Sequence, residues 1–477
     1  MVYLGGELRP ILFVNGAVLA IISLPLLIIE MLNRGADQPF LKAFGVIIFI
    51  GLGLMLAARS GSITFSHKQI FVLTASIWVV LTSAATLPFY LYGMPLSDAV
   101  FEATSGITTT GATVLVGLDE TPNSILMWRA FLQWLGGIGI VVTAIAMLPF
   151  LGIGGMQLFR TESSESSDKE LPSAAKLAST TLWVYVALTV LCAIAYKVEG
   201  MTVFDAIAHA FTTVATGGFS THDASIGYFS NPLIKWTCII FMFLGSIPFL
   251  WYIRAIRVRQ FASEQIKTYS IGILLIVVVL SFWLVNAREF AWSDAILNAT
   301  FSVVSVMTTS GFAISDYSSW GGFSALLFFF LIFSGGCTGS TTGGIKIMRF
   351  IISAKMVRQI VRRQIFPNGI LTEKYEGKKI SDGVFIGVAS FVFIFFVSFA
   401  VFAIVLMALG LGFEASISGS AAAITNVGPG IGSIIGPSGN YADIPSAAKW
   451  VLSLEMILGR LEIFTLLIFL TPRFWRT

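Results

Sequence analysis

Ten stretches of this chain are apolar over the length that matters most for a fold, because a helix needs about 20 predominantly apolar residues to cross a bilayer. They lie near 10–31, 40–58, 70–92, 124–149, 179–197, 232–253, 268–287, 322–350, 383–411 and 445–471. With 56% of its 477 residues hydrophobic and 11% charged, the chain has too much apolar surface for any water-soluble core. The reading is an all-α integral membrane protein with ten transmembrane helices, which excludes a soluble enzyme. Ile11–Met31 lacks a small-residue cleavage site and is followed at once by Leu41–Ala58, so both read as retained spans and not as a signal peptide.

Ten spans put both termini on one side, and the positive-inside rule says which. One set of connections carries 21 Lys and Arg, among them Arg9, Arg59, Lys68 and the run from Lys346 to Lys379. The other set carries seven: Arg34, Lys42, Arg129, Lys197, Lys235, Arg288 and Lys449. Both termini and the 346–379 segment are therefore expected in the cytoplasm, with that segment solvated or lipid-facing. A net charge of +4, so dispersed, argues against nucleic acid as a partner. Cys192, Cys238 and Cys337 fall in apolar segments and His67, His209 and His222 are scattered, so neither a disulfide framework nor a zinc site is expected.

Four of the outward connections run about 30 residues and hold half-apolar, helix-like sequence too short to span. Each starts near an acid (Asp98, Asp205, Asp294, Glu414) and ends in a small-residue cluster. The clusters are Thr108-Thr109-Thr110-Gly111, Ala215-Thr216-Gly217-Gly218, Thr308-Thr309-Ser310-Gly311 and Thr425-Asn426-Val427-Gly428. An even number of spans separates successive clusters, so four units of span, re-entrant helix, cluster and span repeat in the same orientation, after one extra pair of spans.

Non-helical backbone at membrane depth is tolerated where it is buried in protein or lines a water-filled cavity. Four re-entrant elements around one axis would form a ring of backbone carbonyls able to replace the hydration shell of a cation, with threonine hydroxyls as further ligands. Each short helix would aim its partially negative C-terminus at the axis, and the acid at its outer end is the favourable complement.

The motifs FEATSGITTTGATV (101–114), HAFTTVATGGFS (209–220), SVMTTSGF (305–312) and ITNVGPG (424–430) resemble the four filter segments of the Trk/Ktr/HKT superfamily of potassium transporters. The resemblance runs from about Val72 to Phe474, and the extra N-terminal pair is similar to the bacterial TrkH type. It implies a selectivity filter at the sixteen cluster residues, potassium as the transported ion with rubidium and, less well, sodium as companions, and no cofactor. It also implies a homodimer in the bacterial inner membrane and a cytosolic TrkA-like regulatory ring. The division expected is 1–69 for the extra pair, then pore repeats at 70–160, 161–259, 260–379 and 380–477.

The eighth span is interrupted by Gly335-Gly336-Cys337-Thr338-Gly339-Ser340-Thr341-Thr342-Gly343-Gly344, which predicts a helix break. Gly339–Gly344 fits part of a phosphate-binding loop, but Ile345 stands where that motif requires Lys. The resemblance makes Gly336 to Gly343, including Thr338, Gly339, Ser340, Thr341 and Thr342, an intramembrane gate below the filter. In the tenth span Glu455 and Glu462 are expected on one helical face with Arg460 turned away from both. A charge at this depth costs about 2.5–3.5 kcal/mol on insertion scales, so Arg460 should face the pore or a partner group. By resemblance it bonds gate-loop oxygens and helps close the pore. Arg254, Arg257 and Arg259 read as cytoplasmic anchors, and Thr161 to Glu170 as a polar linker.

Overall fold

The computed structural model describes residues 2–32, 37–59, 65–147, 174–369, 371–463 and 467–476. The Thr161–Glu170 tract and the boundary drawn at 160 lie outside them. Helices α1 (Val2–Glu30) and α2 (Pro39–Ala57) pack as a pair against α3 (His67–Leu91). They meet through two glycines, since a Cβ on Gly51 would press on the Gly16 carbonyl, as small residues allow in membrane helix pairs.

Four units follow. The first is α3, the short α4 (Leu96–Ile107) and α5 (Asn123–Met147); the second is α6 (Ala174–Val198), the short α7 (Val203–Val214), α8 (Pro232–Gly245) and α9 (Phe249–Arg257). The third is α10 (Glu264–Arg288), the short α11 (Trp292–Met307), α12 (Gly322–Ile332) and α13 (Ile347–Ile365); the fourth is α14 (Asp382–Ala408), the short α15 (Phe413–Thr425) and α16 (Ser446–Arg460). A small hairpin, β1 (Lys374–Tyr375) and β2 (Lys378–Lys379), sits between α13 and α14, and α17 (Pro472–Arg476) closes the chain. The hairpin turn is tied inward: Glu376 accepts the Glu264 N–H at 2.6 Å, capping α10.

The short helices have 12, 12, 16 and 13 residues, too few to span. Each carries its acid in the first turn, and α11 is the longest, which is why Asp294 stands a turn further out than Asp98, Asp205 and Glu414.

Seven of the ten apolar stretches form one continuous helix among the described residues. The other three are broken, and the sequence reading anticipated one of the breaks. The sixth stretch bends by 87° between α8 and α9, where Pro248 removes a backbone donor and disfavours helix at the residue before it. The eighth opens between Ile332 and Ile347. The tenth leaves helix after Arg460, with Glu462 in the left-handed region at φ 56°. Two of the breaks adjoin the ends of short helices, for Gly245 and Gly459 abut the last-turn carbonyls of Val214 and Ile424, as Gly136 of the unbroken α5 abuts Ile107.

The charge count also needs correction. Arg129 and Lys449, assigned to outward loops, are buried in α5 and α16, where Arg129 pairs with Glu102 at 2.6 Å and Lys449 with Asp98 at 2.8 Å. Arg349, counted on the opposite side, is buried against Glu462 at 2.7 Å. Opposite charges explain how these basic residues sit inside, whereas the counting rule sees position in sequence alone.

Gly51→Leu should wedge α1 from α2 and lower stability by about 1–3 kcal/mol, read as a lower melting temperature in detergent micelles; an unchanged transition would mean the pair does not pack through Gly16.

Candidate ion-conduction site

The four clusters share a backbone conformation that ordinary residues avoid. Their second residues are left-handed, with φ of 55° at Thr109, 51° at Thr216, 55° at Thr309 and 56° at Asn426, and their closing glycines have φ of 85°, 79°, 79° and 96°. A left-handed non-glycine residue costs roughly 1–2 kcal/mol. Its recurrence at four points about 100 residues apart marks the clusters as equivalent.

Contacts between the clusters close a ring. A Cβ on Gly111 would collide with the Gly217 carbonyl oxygen, on Gly218 with that of Ser310, on Gly311 with that of Val427, and on Gly428 with that of Thr110. Each glycine thus lies against the third cluster residue of the next unit, and the fourth unit returns to the first. The same four glycines line one common cavity of about 80 Å³. At its rim His222 Nδ1 and Asp119 Oδ1 are 2.5 Å apart, and this hydrogen bond holds the Asp119 carboxyl below its usual range.

The hydroxyls divide by position. Thr108 pairs with Thr110 at 2.7 Å and Thr308 with Ser310 at 2.8 Å, and Thr425 donates to the Ala421 carbonyl at 2.6 Å, so these are occupied within their own unit. Thr109 Oγ1 is buried with no partner among the described residues. Thr216 and Thr309 instead meet the loop between α12 and α13.

That loop is closed on itself and seated under the ring. Its ends are zipped by Gly335 N–H to Ile345 O at 2.9 Å and Ile345 N–H to Phe333 O at 3.1 Å, and Gly336 N–H donates to Thr342 Oγ1 at 3.1 Å. The α8–α9 bend receives one flank: Cys337 N–H donates to Ser246 O and Phe249 N–H to Gly339 O, both at 3.0 Å. Thr338 N–H donates to Gln265 Oε1 at 3.0 Å, and the Ser340 hydroxyl to Cys337 O at 2.6 Å. Above, the Thr341 and Thr216 hydroxyls are 3.1 Å apart, Gly343 N–H donates to Thr309 Oγ1 at 2.7 Å, and Gly343 leaves no room for a Cβ against Thr425 O.

Two cations hold neighbouring carbonyls of this loop. Arg460 Nη1 donates to Thr341 O at 2.9 Å, while its Nη2 reaches Gly136 O of the first unit at 3.2 Å. Lys346 Nζ donates to Thr342 O and, at 3.0 Å, to Thr342 Oγ1. The shared helical face expected for Glu455 and Glu462 does not form, because α16 ends between them; Glu455 accepts from Ser420 at 2.6 Å and Glu462 pairs with Arg349.

Sequence reasoning missed Lys346 and the braces that Arg129 and Gln133 form behind the ring, and it named Asn426 as a cluster residue without its bracing contacts. Arg129 bonds Glu102, the Ser220 carbonyl at 3.0 Å and Thr113 Oγ1 at 3.0 Å, tying the first two clusters' flanks together. Gln133 donates to Gly217 O at 2.7 Å and accepts from Phe219 N–H at 3.0 Å. Asn426 donates to Thr110 Oγ1 at 3.0 Å and to Met456 O at 2.9 Å, joining units four and one. An ionisable residue inside an apolar window was the available signal for Arg129; nothing local marks Gln133. Glu102→Ala should cost about 3–5 kcal/mol by leaving Arg129 buried and unpaired, whereas adding Arg129→Met should recover part of it; denaturation in detergent reads both.

Residues 36–293 and 273–476 match the TrkH family model, described as cation transport protein. The chain is 43% identical over 482 residues to the Trk system potassium uptake protein TrkI of Halomonas elongata, covering 98% of this chain and 96% of that one. It is 38% identical over 492 residues to the Trk system potassium uptake protein TrkH of Vibrio parahaemolyticus, at 99% and 100% coverage. The crystal structure of the potassium transporter TrkH from Vibrio parahaemolyticus superposes with a TM-score of 0.90 at 35% identity, over 98% of this chain and 100% of that one. A ring of four equivalent clusters, a loop beneath it and these likenesses across nearly the whole length agree: the chain belongs to the TrkH family of cation transport proteins.

Proposed function

We propose that this protein takes up potassium across the bacterial inner membrane, with the sixteen cluster residues as its filter and the loop Gly336–Gly343 as its gate. The observation that carries the reading is the closed ring of four glycines around one cavity, with the loop bonded directly beneath it. Potassium enters at the cavity rim, sheds water against backbone oxygens, and meets the loop where Thr216 and Thr309 bond it. Opening requires the loop to leave those hydroxyls and the α8–α9 bend. Arg460 and Lys346 favour the closed state twice over, by bonding Thr341 and Thr342 and by setting positive charge in the path of a cation.

The braces differ from unit to unit: hydroxyl pairs in the first and third, Gln133 at the second, Asn426 at the fourth. Such a ring holds ions less uniformly than four identical strands, which supports passage of rubidium and, more weakly, sodium. Both termini lie in the cytoplasm in this reading, the pore subunit forms a homodimer, and nucleotide control resides in a separate TrkA-like subunit.

Expression in a potassium-uptake-deficient cell should restore growth at low potassium, and purified protein should carry rubidium into proteoliposomes; transport of organic solutes in its place would overturn the reading. Gly218→Ser, which forces a side chain onto Ser310 O, should lower potassium-over-sodium selectivity severalfold in flux assays, and unchanged selectivity would remove Gly218 from the filter. Arg460→Ala and Lys346→Met should each raise basal flux severalfold in protein that still folds, whereas unchanged flux from both would deny the loop its gating role.

A further inference from the structure

Two histidines at the outer end of the second unit have opposite surroundings. His209, in α7, finds what a neutral ring needs: Nδ1 donates to the Asp205 carbonyl at 2.9 Å, and Nε2 accepts from the Ser220 hydroxyl at 2.9 Å. His222 meets a carboxylate on each side. Its Nδ1 is 2.5 Å from Asp119 Oδ1, in the first unit's turn Leu118–Glu120. Its Nε2, buried with no hydrogen-bond partner among the described residues, lies 3.6 Å from Asp205 Oδ1. The ring rests flat on Tyr228, with centroids 3.5 Å apart and planes at 7°, an arrangement that favours a cation.

A neutral imidazole carries one N–H. Asp119, whose carboxyl the His222 hydrogen bond holds below its usual range, acts as an acceptor, so that N–H lies on Nδ1 and the Nε2 lone pair faces the second carboxylate. The protonated ring presents an N–H to both. Other charged or titratable groups around it are accounted for. Asp223 accepts the Gly117 and Leu118 N–H groups at 3.2 and 2.9 Å, tying the first two outer loops together beside the ring. His209 is joined through Ser220 Oγ, which accepts the His222 N–H at 3.1 Å. Glu120, beside Asp119, is exposed, and Arg129 is matched by Glu102. From the third unit comes the uncharged backbone of Ala313, bonded to Ser225 and Gly227. His222 lines the same cavity as the four closing glycines, so a charge on its ring is felt where a cation enters.

We propose that His222 sets the attraction of the outer mouth for potassium through its proton, the imidazolium bridging Asp119 and Asp205 and placing a positive charge on the cavity wall above the four glycines. The uncharged ring leaves the two carboxylates uncompensated, and they concentrate cations at the entry. Acid at the mouth therefore raises the potassium concentration needed for half-maximal uptake and leaves the maximal rate unchanged. This inference rests on the potassium-uptake reading above.

The test is rubidium uptake into proteoliposomes holding the full-length protein, at equal pH inside and out, from about pH 8 to about pH 5.5, which spans the range where histidine ordinarily changes charge. In the wild type the KM should rise on the order of threefold toward the acid end, the effect of one unit charge acting across a few ångströms of water. The rise should shrink when an impermeant salt raises the ionic strength, a readout that needs no variant to fold. His222→Gln and His222→Asn should each keep the low KM at every pH, and His222→Arg the high one. A rise that survives in both neutral variants, a pH effect confined to the maximal rate, or a rise indifferent to salt would overturn the proposal. A wild type that carries no rubidium overturns the uptake reading together with this one, whereas rubidium flux with a KM indifferent to pH overturns this one alone.

Discussion

A peptide group outside a helix at membrane depth has no water to bond, so its N–H and C=O must find partners in the protein or face a water-filled path. This chain places four non-helical clusters and one long loop at that depth, and they answer the requirement jointly. Thr216 and Thr309 of the ring take part in bonding the loop, the loop's Cys337 N–H and Gly339 C=O bond to Ser246 and Phe249 around the α8–α9 bend, and Arg460, Lys346 and Gln265 bond the backbone of Thr341, Thr342 and Thr338. A helix that ran straight through residues 246–248 would have no free groups to offer. The break in the sixth stretch is therefore the complement of the loop.

Close approach is the second requirement. Backbones meet at the ring because the third residue's carbonyl in one unit rests on a glycine in the next, and again where Gly136, Gly245 and Gly459 let a spanning helix touch the end of a short one. Around this glycine-rich centre the buried ion pairs and amides act as struts. Arg129 is the fullest case, with a carboxylate, a carbonyl and a hydroxyl on its guanidinium and the Phe219 ring 4.2 Å beneath it. A carboxylate partner and a hydrogen bond from each nitrogen are what make this buried charge tolerable.

The clusters were legible because their signal is local: Gly and Thr at the end of a helix too short to span, with an acid at its start, four times over. The glycine run of the loop was legible for the same reason, as was Arg460 by its depth. The bend at Pro248 had a local marker that an apolar-window scan passes over. Gln133 lacked even that, since an amide in an apolar helix looks ordinary until its partner at Gly217 is in view, whereas Lys346, ionisable inside the eighth apolar stretch, is absorbed into the basic run it opens until its partner Thr342 is seen. Glu462 was misread because helical periodicity was extended past the point where the helix ends.

Composition and period by themselves determined an α-helical membrane chain, the number of repeating units, their common orientation and the residues that close each unit. Those properties depend on windows of about 20 residues, where hydrophobic length and glycine act without regard to distant sequence. Tertiary structure alone decided the closure of the ring through carbonyl–glycine contacts, the meeting of the sixth and tenth stretches with the loop that interrupts the eighth, and the partners of Arg129, Arg460 and Lys449. Such choices set residues up to 351 positions apart against each other, as Lys449 and Asp98 are, and no local pattern carries the energy of a contact that exists only after the units have packed.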